Sequence, residues 1–237
     1  MNRSWQSQPA SRSRYGKDGS NESIASGRAD DIGVIYHLLD HYHISVAERD
    51  KPGELGKITL VNGEGVERIL QSLPVRLKSQ DEDTPVKRLG IIIDTDLDLA
   101  KRWQSIKDIL RRVGYTNVPE NPSPAGTVIV EEDRIVFGIW LMPDNQLAGE
   151  LEHFVRFLIK ADDKLWNHAV DSVEQIPDLD RLFAYSDTIK AHMHTWLAWQ
   201  KEPGKPMGQA IKKKFLDANT PHAIQLVDWI RRLFPVE

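Results

Sequence analysis

Leu89-Gly90-Ile91-Ile92-Ile93-Asp94-Thr95-Asp96-Leu97-Asp98 decides the fold class. Its β-branched apolar run does not alternate with polar residues, the pattern of a parallel strand covered on both faces. The run ends in two aspartates one residue apart. An amphipathic pattern then follows from Leu97 to Val113, closed by Gly114, and reads as a helix. In open α/β sheets, ligands gather at the carboxyl ends of the strands, which is where Asp94 and Asp96 fall. Residues two apart on a strand point the same way, so both carboxylates could hold one hard cation. The plainer alternative is a turn followed by an N-cap, since aspartate fills both roles well.

Working outward, strand and helix signals alternate. Asp31 to Tyr42 is helical, with Ile32, Ile35, Tyr36, Leu39 and Tyr42 on one face. Ser45 to Lys57 reads as a loop, Lys57 to Val61 as a strand, and Val66, Ile69, Leu70 and Leu73 mark the next helix. An acidic loop from Gln80 to Thr84 leads to the central run. Beyond the three prolines of Val118 to Gly126, Thr127–Val130 and Ile135–Met142 form a predicted hairpin around Glu131, Glu132 and Asp133. Pro143-Asp144-Asn145 breaks that pattern, and Leu147 to Ile159 is helical. Only helical signals follow: Leu165–Val173, Ser186–Trp199, Gly208–Leu216 and Ala223–Phe234. The expected architecture is α/β, a mainly parallel sheet flanked by helices with an all-helical carboxyl-terminal extension. Its divisions are a disordered polar tail over residues 1–23, the α/β domain over 24–160 and the helical region over 161–237.

Composition narrows the chemistry. The chain has 237 residues, 40% hydrophobic and 28% charged, as expected of a soluble globular protein with a real core. A net charge of -4 gives no global pull toward nucleic acid or anionic lipid, so nucleic-acid contacts would have to be local. The absence of cysteine excludes disulfides, thiolate zinc sites, iron–sulfur clusters and thiol nucleophiles. No apolar run is long enough to span a membrane, and no signal-peptide core is present, so a cytoplasmic protein is the expectation.

Two other patterns fail. Asn62-Gly63-Glu64-Gly65 resembles the start of a dinucleotide fingerprint, but Arg68 stands where the third glycine is needed. His41/His43 and His192/His194 are two apart, a poor chelating spacing on a helix. Lys212-Lys213-Lys214 reads as a solvated helix face. More telling is Ala148-Gly149-Glu150-Leu151-Glu152. It follows a strand, so Glu150 and Glu152 are expected at the same sheet edge as Asp94. Several carboxylates gathered there would repel one another without a cation.

These features resemble a TOPRIM domain, the sheet shared by topoisomerases, primases and overcoming-lysogenization-defect nucleases. Asp94-Thr95-Asp96 matches its Asp-x-Asp motif at the expected strand end. Ser26-Gly27-Arg28-Ala29-Asp30 aligns with its Glu-Gly-x-x-Asp motif, with Ser26 where the motif has glutamate. More narrowly, the chain resembles a bacterial family known as domain-of-unknown-function family 3226. That likeness runs from about Gly27 to the carboxyl terminus. It is carried by Ile91 to Asp98, Trp140-Leu141-Met142-Pro143-Asp144-Asn145 and His194-Thr195-Trp196-Leu197-Ala198-Trp199-Gln200.

The TOPRIM resemblance implies a Mg²⁺- or Mn²⁺-dependent phosphodiesterase acting on DNA or RNA, with a place in anti-phage defence. Asp30, Asp94, Asp96, Glu150 and Glu152 are then the metal ligands. Asp94 and Asp96 carry the chemistry, and Lys190 neutralises the scissile phosphate. The replacement at Ser26 implies instead a catalytically degenerate binding or regulatory subunit that works with a partner ATPase on another chain.

Overall fold

The computed structural model describes residues 22–27, 29–47, 57–78 and 87–235. Residues 1–21 of the expected tail, and the acidic loop at 80–84, lie outside them. So do residues 48–56 of the expected loop Ser45–Lys57, whose described part carries a parallel bridge between Val46 and Ile58.

Five strands form one sheet in the order β2-β1-β3-β5-β4. They are β1 (Glu22–Ser26), β2 (Thr59–Asn62), β3 (Arg88–Ile93), β4 (Thr127–Ile129) and β5 (Val136–Leu141). Every pairing is parallel except β4 with β5, which is the antiparallel hairpin the turn residues predicted. The helices are α1 (Ala29–His41), α2 (Val66–Lys78), α3 (Leu99–Arg112), α4 (Leu151–Arg156), α5 (Lys164–Glu174), α6 (Thr188–Ala198), α7 (Met207–Lys212) and α8 (Pro221–Leu233). A 3-10 turn, Tyr185–Asp187, leads into α6. The fold is therefore α/β with a helical carboxyl-terminal part. None of the described helices is long and apolar enough to cross a membrane.

The unbroken apolar run of β3 serves two cores at once. Leu89, Ile91 and Ile93 pack with α2 and α3, through Ile69, Leu73, Trp103, Ile106 and Leu110. Ile92 faces the opposite layer, built from α1 and all of α4 to α8. The same split runs along β5, with Phe137, Ile139 and Leu141 on the first side and Trp140 on the second. Both faces bury apolar groups, which is why alternation is missing from the sequence. On the second side α8 comes very close. A Cβ on Gly90 would stand 3.0 Å from Leu233 Cδ2, and one on Gly138 would collide with Leu233 and press on Trp229.

Two expectations need revision. First, β1 begins at Glu22, so Glu22 and Ser23, which the sequence placed in the tail, are strand residues. Its five residues hold few large apolar groups, yet it lies between β2 and β3, and Ile24 and Ala25 are fully buried. Second, the buried stripe of α1 is Val34, Ile35, Leu38 and Leu39, whereas Tyr36 is exposed. The helix is rotated relative to the predicted stripe, because α7 lies across it with Gly208 against Gly33.

Candidate functional site

β3 leads directly to the candidate site. Asp94, its side chain almost wholly buried, accepts a hydrogen bond at Oδ1 from the Leu151 amide (3.1 Å), the first residue of α4. Thr95 ties the same two segments together. Its hydroxyl lies 2.9 Å from the Met142 carbonyl and accepts from the Gly149 amide (2.8 Å), while its amide donates to the Gly149 carbonyl (2.9 Å). The end of β3 and the start of α4 are thus one hydrogen-bonded unit, and the expected meeting of Asp94 with the Glu150–Glu152 segment occurs.

Asp96 goes elsewhere. Two residues align on one face only while the chain stays extended, and β3 ends at Ile93. Asp96 sits at φ 52°, in the left-handed region, with its side chain 62% exposed. It accepts from Arg102 Nη2 at 2.7 Å, and the other arm of Arg102 reaches Glu67 Oε1 at 3.5 Å. The predicted Asp94–Asp96 chelate is therefore split into an inward and an outward carboxylate. Asp98 takes the N-cap role, accepting from the Lys101 amide (2.9 Å). Asp144 closes a turn by accepting from the Gln146 and Leu147 amides (3.0 and 2.8 Å).

Glu150 stands at the N-terminus of α4, and its amide donates to His153 Nδ1 (3.2 Å). Its carboxylate takes a hydrogen bond from Lys190, which lies 3.3 Å from Asp187 as well. Lys190, expected to meet a phosphate, thus holds two of the protein's own carboxylates. Burial alone would depress its ammonium. The Glu150 hydrogen bond and the charges of Glu152 and Glu150 outweigh that and raise it above the ordinary lysine value. Glu152 is 7% exposed, and burial raises its carboxyl above the ordinary glutamate value. Its own backbone hydrogen bond and Lys190 oppose the shift, while Glu150 and Asp31 add to it.

The carboxylate that motif alignment missed is Asp31. Asp30, the aligned residue, is exposed. Asp31 is 5% exposed, accepts from the Ser26 hydroxyl (3.0 Å) and lies close enough to Glu152 to raise it. Helical phase could have found it, because Asp31 is in register with the buried Val34, Ile35 and Leu38. A charged residue on the buried stripe is the signal, and motif spacing overrode it. The serine at position 26 has a job of its own, holding that carboxylate.

A divalent ion needs several converging oxygens with lone pairs to spare. Among the described residues, no group of three or more His, Asp or Glu side chains is arranged to hold one. Of the expected ligands, Asp94 serves the Leu151 amide, Asp96 serves Arg102, Glu150 serves Lys190, and Asp30 faces solvent. The arrangement does not fit the Mg²⁺ or Mn²⁺ that the TOPRIM resemblance implies. Of the histidine pairs, His192 is buried edge-on to Trp166 with Glu174 at 3.7 Å, while His194 is exposed, so the two do face apart.

No curated protein and no solved structure matches the chain significantly. A family model does match, over residues 28–235, taking in α1 to α8 and every strand except β1. The chain belongs to that family, the proteins of unknown function called DUF3226.

Proposed function

We infer that the chain is a TOPRIM-like domain that has given up cleavage and acts as a binding or regulatory subunit. Its catalytic counterpart, by the same resemblance, is an ATPase on another chain, and nucleic acid is met through local contacts within an anti-phage system. One observation carries this reading: Lys190 lies between Glu150 and Asp187 with Glu152 beside it. Four carboxylates in a metal enzyme need cations to relieve their repulsion. Here a lysine and an arginine already supply that charge, at Glu150 and at Asp96. Ser26 supports the reading further, since its hydroxyl serves Asp31 where the motif glutamate would stand.

The test combines cleavage with binding. The purified protein is incubated with supercoiled plasmid, single-stranded DNA and RNA in Mg²⁺ or Mn²⁺, and its Tm is followed as Mn²⁺ is added. The expected outcome is no cleavage and a Tm that does not depend on Mn²⁺ in either the wild type or Asp94→Asn. Cleavage by the wild type that Asp94→Asn abolishes would overturn the proposal and restore the phosphodiesterase.

A further inference from the structure

The segment joining α5 to α6 presents two leucines to water, Leu179 at 99% and Leu182 at 98% exposure. The segment is not loose. Tyr185 Oη donates to Asp178 Oδ1 (2.9 Å), Arg181 lies 3.6 Å from the same carboxylate, and the Arg181 guanidinium stacks over the Tyr185 ring at 4.4 Å. These polar contacts fix the backbone while both leucines point outward, flanked by the exposed Asp178 and Asp180. A rigid apolar knob with an acidic collar is the kind of anchor that docks into a pocket at low entropic cost.

A complementary surface lies elsewhere on the same chain. Val61 of β2, Gly63 just after it and Ile69 of α2 line an open groove of about 330 Å³. Arg68, Ser72 and Arg76, each four residues from the next, line it from one stripe of α2. A cavity of about 150 Å³ accommodates a benzene molecule, so this groove has room for leucine side chains. Among the described residues, Arg68 pairs with its exposed neighbour Glu64, a type of pair that contributes little and exchanges readily. The knob offers leucines and aspartates, and the groove offers a mostly apolar lining and the exposed Arg68.

We propose that a second copy of this chain seats its Leu179–Leu182 knob in the α2–β2 groove, with Asp178 and Asp180 facing the exposed guanidinium of Arg68. A molecule cannot fill its own groove this way. α2 belongs to the layer on one face of the sheet, while α5 and α6 belong to the other. The contact joins unlike surfaces, so each added copy leaves one knob and one groove unused. Such a contact propagates as a ring or an open chain and does not stop at a dimer. The proposal is independent of whether the site around Lys190 cleaves anything.

Sedimentation velocity over a concentration series tests it. The wild type should show a weight-average mass that climbs past twice the monomer as concentration rises. Leu179→Ser with Leu182→Ser removes the knob, and Arg68→Glu reverses the charge of the groove. Each should sediment as a monomer with an unchanged Tm, because the substituted side chains are exposed. The decisive measurement mixes the two variants. The live groove of one can accept the live knob of the other and then nothing more, so the mixture should form a one-to-one dimer that does not grow. A wild type that stays monomeric at every concentration measured overturns the proposal. So does association that survives both variants, or a mixture that shows no dimer.

Discussion

The two ends of β3 are built on opposite principles. Along the strand, Gly90 gives way to Trp229 and Leu233 on one side while Leu89, Ile91 and Ile93 press into α2 and α3 on the other. Past Arg88, which donates to the Leu233 carbonyl (2.9 Å), the strand's side chains are all apolar, and specificity comes from volume. Past Ile93 the chain enters a cluster of charges in which Asp94, Thr95, Glu150, Glu152 and Lys190 each have a named partner or a compensating neighbour. Specificity there comes from satisfied hydrogen bonds and balanced charge. Along the strand, deleting a large side chain leaves a cavity that its neighbours fill only in part. At the site, a deletion leaves a buried polar or charged group short of a partner.

Truncation should expose the first half of that contrast most strongly. Trp229 is fully buried, donates from Nε1 to the Thr127 carbonyl (3.1 Å) and packs on Trp140. Trp229→Ala should cost about 3–5 kcal/mol in urea unfolding. A loss below that range would mean that the seam repacks around the gap, and the description of a volume-fitted strand would fail.

Lys190→Met probes the other half. It leaves Glu150, Asp187 and Glu152 without their cation, and should cost about 1–3 kcal/mol at neutral pH. The loss should shrink as the carboxylates protonate in acid. Recovery of that stability by Mn²⁺ would show that a metal can take the lysine's place, contrary to the binding-subunit reading.

Glu152→Gln should change the shape of the stability curve more than its height. A carboxyl raised by burial stays protonated in the folded state where the unfolded chain has already ionised. Stability from that group is therefore complete below the unfolded value and is lost as pH rises through the folded one. The difference between wild type and Glu152→Gln, measured by urea unfolding from acid to neutral pH, should rise in the variant's favour across that window. A flat difference would mean that Glu152 is not held in a desolvated position.

Arg102→Gln should matter least. Its partner Asp96 is 62% exposed, and pairs of that kind contribute about 0.2–1 kcal/mol. A larger loss by the same assay would place Arg102 within the buried network instead of at its margin.

Much of this division was legible in the sequence, for reasons that differ by residue. The β3 run and the α3 stripe announced themselves because burial on two faces and on one face leaves distinct periodicities. Asp94 was found because strand ends in α/β sheets collect ligands. Asp96 was misplaced because strand spacing was carried past the end of β3 at Ile93, to a residue whose own backbone is left-handed. Glu22 and Ser23 were not read as strand because a central strand flanked by two others needs few large side chains of its own. Asp31 escaped because motif alignment gave Asp30, whereas the rotation of α1 under α7 decides which aspartate turns inward. Lys190 was placed at the site, but its partner Glu150 lies 40 residues away in the chain and leaves no local pattern.

The order in which the ribosome delivers these elements has a consequence of its own. α8 is the last element of the fold in chain order, yet it covers the middle of the sheet, with Leu233 against Gly90 and Gly138. β3 and β5 are synthesised well before it, at about 5–20 residues per second. Until α8 emerges, Trp140 and the small-residue seam beside it have no lid. The nascent chain therefore carries a bare apolar strip from the completion of β5 at Leu141 until α8 begins at Pro221, 80 residues later.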